Sequence, residues 1–294
     1  EYAAFQLVPR LNAAGRLGQA ALAVELLLSN DPERAKNLAE EIDQLNETRK
    51  TLEKQIAKEA EQQIHDQFDA VHDSAFVLVG DWHRGVIGIV AGRLTERFHR
   101  PVILLGRDKM GNIPGVGSAR SVSGFNLYAA LEACREFLIR FGGHEAAAGL
   151  TIEEEKINPF RTAFCKIVAE RISEEERIAE LSIDGIFPLG AFTQSAVKEI
   201  LSLAPFGSAN PSPIFAAEKV LAQNVKAMGK DKNHFSADFC QHNVKLRGIA
   251  FNRQNWLDEM QPYNEPIDIA FKVRISDYNK QVEMDILDWR RAAP

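Results

Sequence analysis

Ser118, Arg120 and Ser121 put two hydroxyls and a guanidinium into four consecutive residues of the stretch GVGSARS. An arginine fork donates two parallel hydrogen bonds and so suits a phosphate. If the stretch is extended, Ser118 and Arg120 point to one face. A second candidate is Phe141 to Leu150, FGGHEAAAGL. Its adjacent Gly142 and Gly143 let the backbone take positive φ and approach a ligand with no Cβ in the way. Backbone amides there can cradle an anion, and His144 can donate to it. Taken alone, the same residues read first as a tight turn between a helix and a strand. A third group is Asp81-Trp82-His83-Arg84. Trp82 there either stacks on a base or closes the core. Arg10, Asn12 and Arg16 lie around a small-residue AAG and read as a basic, close-packed loop. On spacing alone those arginines suit an ordinary surface.

The elements that must position these groups follow from pattern. Asp31-Pro32-Glu33 is a helix start, with an N-cap, a first-turn proline and an acid at the positive end. Leu38, Ile42, Leu45, Leu52, Ile56 and Ile64 then recur at helical spacing, interrupted by Arg49, and predict one long strut over 31–66. Residues 75–105 predict a βαβ unit: AFVLVG and PVILLG as buried strands, GVIGIVAGRLTERFH as the helix between them. This puts His83 and Arg84 where α/β folds bind ligands, just before a helix N-terminus that favours anions. FNLYAALEACREFLIRF predicts a helix running into the GGH loop, and a second charged helix is predicted over about 155–181.

From 183 the composition changes. A short helix, FTQSAVKEILSL, and the loop PFGSANPSPIF precede five β-like runs at 214–228, 234–240, 243–251, 267–277 and 281–287. Five short strands with a helical interruption near 254–260 predict a small closed barrel of OB type. Lys226, Lys230, Lys232, His234, Phe235, Lys245, Arg247, Lys272 and Arg274 supply cations and aromatics across them. That mixture suits single strands, though a barrel used only as a scaffold fits as well.

The net charge of −6 argues against nucleic acid only until its placement is considered. Residues 31–66 and 153–184 each carry a net −4, which leaves +2 for the rest of the chain. The acid belongs to two solvated helices, and the other modules are free to meet an anion. Three dispersed cysteines, Cys134, Cys165 and Cys240, fit no metal spacing and suit a reducing cytosol. No apolar run approaches the ~18 residues of a membrane span. An opening Glu1 rather than Met gives the expectation of a piece of something longer.

FGGHEAAAG resembles the GGHxxAAG signature of the DHH-associated domain, found in DHH phosphoesterases and alanyl-tRNA synthetases. DWHRGVIGIVAGRL, GSARS, PRLNAAGR and PFGSANPSPIF, in that company, resemble the bacterial RecJ exonucleases over essentially the whole chain. The fold class this implies is an α/β DHH-associated domain plus an OB-like β-barrel domain, joined by long charged helices. The implied division is 1–30, the tail of an upstream DHH catalytic domain; 31–72, a long connecting helix; 73–154, the DHH-associated domain; 155–182, a linker helix; and 183–294, the OB-like nucleic-acid-binding domain. The implied activity is processive 5′-to-3′ hydrolysis of single-stranded DNA in repair and recombination, with a two-metal centre of Mn²⁺ or Mg²⁺. The chain contains no DHH tripeptide, and His65-Asp66 and His72-Asp73 read as surface pairs. The metal lobe is therefore expected upstream of Glu1, and no catalytic residue or metal ligand is expected here.

What the resemblance implies for this chain is substrate handling. Ser118 and Arg120 would hold the terminal phosphate, and Arg16 would reach the same pocket. Gly142, Gly143 and His144 would line the path beside the metals, with Trp82 and His83 in the same cleft. Single-stranded DNA is the implied partner, with room for a single-strand-binding protein or a helicase and with no membrane. Ala119 and Ala209 stand where the family commonly has glycine. Two other readings remain: a phosphodiesterase for short oligoribonucleotides or cyclic dinucleotides, which the terminal barrel counts against, and a non-enzymatic single-strand-binding scaffold.

Overall fold

Asp31 starts the longest element as the sequence predicts: its carboxylate accepts from the amides of Glu33 at 3.0 Å and Arg34 at 3.4 Å. The computed structural model describes residues 3–292 apart from 70–71, 108–114, 174, 179, 208, 230–231, 254 and 261–264. It divides into two units, Glu1–Ala179 and Glu180–Pro294.

In the first unit, helices α1 (Val8–Arg16) and α2 (Ala20–Leu28) precede α3 (Pro32–Gln67). The 36 residues of α3 extend roughly 54 Å. The expected basic loop around Arg10 and Arg16 is a helix instead. Alanine, leucine and arginine are strong helix formers, and the small Ala13 and Ala14 let α1 bury its backbone closely. Arg49 does not merely break the stripe on α3. Its Nη1 donates to Glu53 at 2.5 Å and its Nη2 to Asn46 at 2.9 Å, and Arg93 reaches the same carboxylate, so a glutamate only 2% exposed is neutralised from two sides.

The strands are β1 (Phe76–Gly80), β2 (Val102–Gly106), β3 (Gly115–Arg120), β4 (Leu138–Gly143) and β5 (Ala147–Ile152), in sheet order β1-β2-β3-β5-β4. β1 and β2 run parallel across the predicted βαβ unit, whose helix is α4 (Ile87–Phe98); the other pairs are antiparallel. One face, with Val77, Ile103, Ala119 and Leu150, packs on α5 (Leu127–Ala133) and α6 (Ile157–Arg171). The other face carries Phe76, Leu78, Val102 and Leu104 under α3 and α4.

Two predicted helices are shorter in the structure. The stretch 125–141 gives only α5, capped by Asn126, whose Oδ1 accepts from Ala129 N at 2.9 Å; the chain then turns and becomes β4. Leu138, Ile139 and Phe141 are good strand formers, and pairing with β5 outweighs their helical spacing. The GGH residues therefore belong to a β-hairpin, not to a helix end. The helix expected over about 155–181 ends at Arg171, and it buries Ile157, Phe160, Phe164 and Val168 in the first unit's core.

The second unit is the predicted barrel. After the short strand β6 (Gly185–Ile186) and helix α7 (Gln194–Leu201) come β7 (Phe215–Met228), β8 (His234–Gln241), β9 (Val244–Ala250), helix α8 (Asn255–Met260), β10 (Ile267–Ile275) and β11 (Val282–Arg291). Strands β7, β8, β9, β11 and β10 pair in that order, and β10 closes on β7. Within those five strands β9 and β11 pair in parallel, and α8 lies between β9 and β10, the connectivity of an OB fold. Phe235, which the sequence offered as a stacking group, is fully buried in the barrel core with Phe239 and Phe271.

Candidate functional site

In the first unit, the carboxyl end of α1, the loop after β1, the first turn of α4 and the open side of β3 surround a cleft of about 930 Å³. It gathers Arg16, His83, Arg84, Ser118 and Arg120, with Asn12, Gly85 and Gly88 between them, and no carboxylate lines it among the described residues. β3 is extended, so Ser118 and Arg120 share a face as their spacing requires. Arg120 Nη1 donates to Ser118 Oγ at 3.1 Å and to the carbonyl of Ala119 at 2.8 Å. Burial, and then the nearby Arg16 guanidinium, push the Arg120 pKa down. Arg16 Nη1 donates to the carbonyl of Gly85 at 3.4 Å. Two guanidiniums held near one another, one of them half-buried, with no counter-charge, make a site for an anion. The amino end of α4 adds its dipole to the same cleft.

Two glycines make this convergence possible, and neither stands out among the chemistry-bearing residues of the sequence. A Cβ on Gly85 would lie 1.9 Å from the carbonyl oxygen of Arg16, so only glycine lets the β1–α4 loop meet the end of α1. A Cβ on Gly88 would lie 2.9 Å from Ser118 Oγ and 3.0 Å from Arg120 Nη2. The available signal was a pair of glycines opening an otherwise apolar helix, where glycine is otherwise unfavourable.

Trp82 is placed differently from its neighbour His83. It is 6% exposed, covers Gly80, and donates from Nε1 to Glu59 on α3 at 2.7 Å. With no free face for a base, Trp82 closes the core and ties the loop to α3. His83 is exposed on the cleft, and its Nδ1 accepts from Gly85 N at 3.1 Å, which leaves Nε2 as the protonated nitrogen of the neutral ring.

Gly142, Gly143 and His144 do not line the cleft. They form one side and the tip of the exposed β4–β5 hairpin, closed by His144 N donating to Ala147 O at 2.9 Å. Gly143 has φ +150°, and a Cβ there would lie 2.3 Å from Ala147 O, so the hairpin itself requires that glycine. The hairpin is joined to the cleft through the sheet. Leu78, Leu104, Ser118, Gly149 and Gly142 are register partners in one row across all five strands. The first two lie under helices, and the last two are exposed.

The departure at residue 119 costs nothing, because Ala119 turns its methyl into the core on the far face. His65 and His72 are exposed and pair with Asp66 and Asp69. Among the described residues no group of three or more His, Cys, Asp or Glu side chains could hold a metal ion. The described side chains therefore do not fit a divalent-metal centre, and the cleft offers anion binding and orientation.

On the barrel, three of the cations that the sequence offered as a groove, Lys245, Arg247 and Arg274, are paired with carboxylates. Asp238, Arg247, Glu283 and Arg274 are register partners across β8, β9, β11 and β10, alternating in sign. Lys245 lies 3.3 Å from Asp238, Arg247 3.8 Å from Glu283, and Arg274 3.0 Å from Glu283 and 3.2 Å from Asp285. Lys226 and Lys232 are exposed, and Lys230 lies outside the described residues.

Residues 72–170 match the DHHA1 domain family, and residues 183–287 match the RecJ OB domain. The single-stranded-DNA-specific exonuclease RecJ of Bacillus subtilis is 35% identical over 288 residues, 98% of this chain and 36% of that protein. The crystal structure of RecJ from Thermus thermophilus in complex with Mg²⁺ superposes with TM-score 0.81 at 26% identity, covering 100% of this chain and 44% of that one. The same protein in complex with Mn²⁺ gives TM-score 0.80 at 26% identity, covering 100% of this chain and 42% of that one. This chain thus spans well under two thirds of the length of the proteins it matches.

Proposed function

Because the chain belongs to the RecJ family, whose DHHA1 and OB domains it carries in series, we propose that it is the substrate-binding portion of a single-strand-specific DNA exonuclease, and that its cleft holds the 5′-terminal phosphate. The observation that carries this reading is the carboxylate-free convergence of Arg16, Arg84, Arg120 and Ser118. A terminal phosphate monoester bears more charge than an internal diester, and a fork beside a hydroxyl and a helix N-terminus favours it. Holding that end fixes how far along the strand the first internal phosphodiester lies. The chain's part in the reaction is thus to bind, orient and index the strand 5′ to 3′. His83 donates from Nε2 toward the same anion.

Bound Mg²⁺ or Mn²⁺ would activate water and stabilise the leaving oxygen in the remaining portion of a full-length relative. That portion packs, in this reading, against the apolar side chains that α1 and α2 leave exposed beside the cleft: Val8, Val24, Leu27 and Leu28. The barrel contributes general affinity for the single strand, and the protein works in repair and recombination in a reducing cytosol, which its free cysteines suit.

The test is fluorescence anisotropy with matched single strands bearing a 5′-phosphate or a 5′-hydroxyl. Wild-type chain is expected to prefer the phosphate, and Arg120→Ala to remove the preference with a loss of about tenfold or more, the scale of a charge-assisted hydrogen bond. Equal losses for both ends would refute the terminal-phosphate role. Robust metal-dependent cleavage by this chain alone would refute its assignment as the non-catalytic portion.

A further inference from the structure

The outer surface of the barrel carries a hollow that strand binding does not use. Ile186, Ala216, Ala270 and Asp288 are register partners in one row across β6, β7, β10 and β11. Their neighbours Phe215, Ala217, Ile269 and Phe271 belong to the barrel core, so the row faces outward. The two alanines in mid-row leave a depression of about 200 Å³. Leu181 and Ile186 wall it and remain 39% and 60% exposed. An apolar cavity of about 150 Å³ takes a benzene ring, so this hollow has room for one large apolar side chain.

Its rim is acidic. Asp268, in the adjoining row, is buried and satisfied within the fold: Oδ1 accepts from Lys219 N at 3.1 Å and Oδ2 from Arg290 Nε at 3.0 Å. Arg290 is the only cation lining the hollow among the described residues, and Asp268 balances it. Glu218 and Asp288 line the hollow too, are exposed, and have no cation within ion-pair distance among the described residues. The hollow thus holds two carboxylates in excess. Carboxylates repel a phosphodiester backbone and attract lysine and arginine, so the charge selects a protein rather than a nucleic acid strand.

We propose that this hollow docks a basic segment of a partner protein: one aromatic or large aliphatic side chain inserts beside Ile186 over Ala216 and Ala270, and flanking lysines or arginines meet Glu218 and Asp288. Buried anchors of that kind carry most of the energy of an interface, and the rim charges select the partner. The site does not rest on the phosphate reading of the cleft, and each can fail without the other.

Trp289 lines the hollow, whereas Trp82 and Trp256 are buried elsewhere, so the chain labelled with 5-fluorotryptophan gives three ¹⁹F resonances, of which Trp289→Phe assigns one. The probe is the acetylated and amidated peptide Lys-Lys-Phe-Lys-Lys, titrated at low salt, where exposed charges are least screened. It is expected to move the Trp289 resonance and leave the other two in place. Replacing the probe's phenylalanine by alanine is expected to weaken binding about tenfold or more. Glu218→Gln with Asp288→Asn, which alters two exposed side chains, is expected to weaken it about three- to tenfold and to flatten its salt dependence. Ala216→Leu, filling the hollow from its floor, is expected to abolish the shift. An unmoved Trp289 resonance, equal binding of the phenylalanine and alanine peptides, wild-type binding by the double variant, or a shift that survives Ala216→Leu would each overturn the proposal. A Trp289 shift of the same size from a thymidine strand of about 12 nucleotides would overturn it as well, by giving the face to nucleic acid.

Discussion

Gly88→Ala separates the fold of the cleft from its function with one methyl group. The added Cβ would sit 2.9 Å from Ser118 Oγ and 3.0 Å from Arg120 Nη2, so both side chains must retreat by about half an ångström to reach ordinary contact. On the stability side, alanine improves on glycine in a helix by up to about 1 kcal/mol. Displacing one or two side chains from their rotamers costs about 0.5–1.5 kcal/mol. These terms nearly cancel, and the melting temperature should move by less than about 4 °C. On the binding side, the retreat disturbs the pair meant to hold the phosphate, where a hydrogen bond to a charged group is worth about 1.5–3 kcal/mol. That predicts a roughly 10- to 100-fold loss for a 5′-phosphorylated strand and little change for a 5′-hydroxyl strand. Thermal unfolding followed by circular dichroism and the paired anisotropy titrations measure both halves. Equal losses for the two ends, or unchanged affinity for the phosphorylated end, would refute the placement of the phosphate at Ser118 and Arg120.

Other perturbations test the framework around the cleft. Trp82→Phe removes the bond to Glu59, an exposed carboxylate that water can then solvate, so it should destabilise the chain by about 0.5–1.5 kcal/mol and leave 5′-end selectivity intact; lost selectivity at full stability would instead put Trp82 in contact with substrate. Glu53→Ala strands the largely buried Arg49 one turn away on the same helix and should cost about 3–5 kcal/mol in denaturant unfolding. Asp285 has its pKa raised, by burial first and by neighbouring Glu283, although Arg274 opposes both. A carboxyl whose folded pKa is raised contributes stability below its unfolded pKa and loses it as pH rises through the folded value. Asp285→Asn should therefore gain on wild type at neutral pH, with the gain shrinking as the pH falls into the acidic range. Burial pushes the Cys134 and Cys165 thiols up to about 11, so iodoacetamide at mildly alkaline pH should label Cys240 well before either, as read by peptide mass spectrometry.

Much of the fold was legible because its signals are local. The Asp31-Pro32 cap, the continuous apolar runs of β1 and β2, and the five barrel strands each carry their own pattern, and each stands within a few residues of its expected place. The errors arose where tertiary pairing outweighs local preference. The stretch after Cys134 has helical spacing but finds β5 beside it, and nothing within residues 125–141 announces that partner. Trp82 could not be assigned from sequence because its role depends on Glu59, twenty-three residues upstream on another element. Ser118 and Arg120 were singled out by residue type and spacing, and Arg16, which on spacing alone suited an ordinary surface, only by the family resemblance. Gly85 and Gly88, which let those residues meet, leave only a faint trace because an absent side chain has no chemistry of its own.

The two units carry similar residue types and differ in what faces them. On the barrel, Lys245, Arg247 and Arg274 stand beside carboxylates, so a phosphate binding at any of them must displace an existing partner, and for Arg247 and Arg274 that partner is the buried Glu283, which would be left without its counter-charge. In the cleft, Arg120 and Arg16 have no carboxylate to lose among the described residues, and a bound phosphate relieves their mutual repulsion. An anion entering the cleft gains the full charge-assisted bond, whereas one entering the barrel face gains the difference between two partners. In the proposed function, this asymmetry assigns end recognition to the DHHA1 domain and leaves the OB domain to follow the strand through weaker, salt-sensitive contacts. It also explains why counting cations in the sequence overstated the barrel. Lys245, Arg247 and Arg274 were read without Asp238, Glu283 and Asp285, which the β-pairing sets beside them.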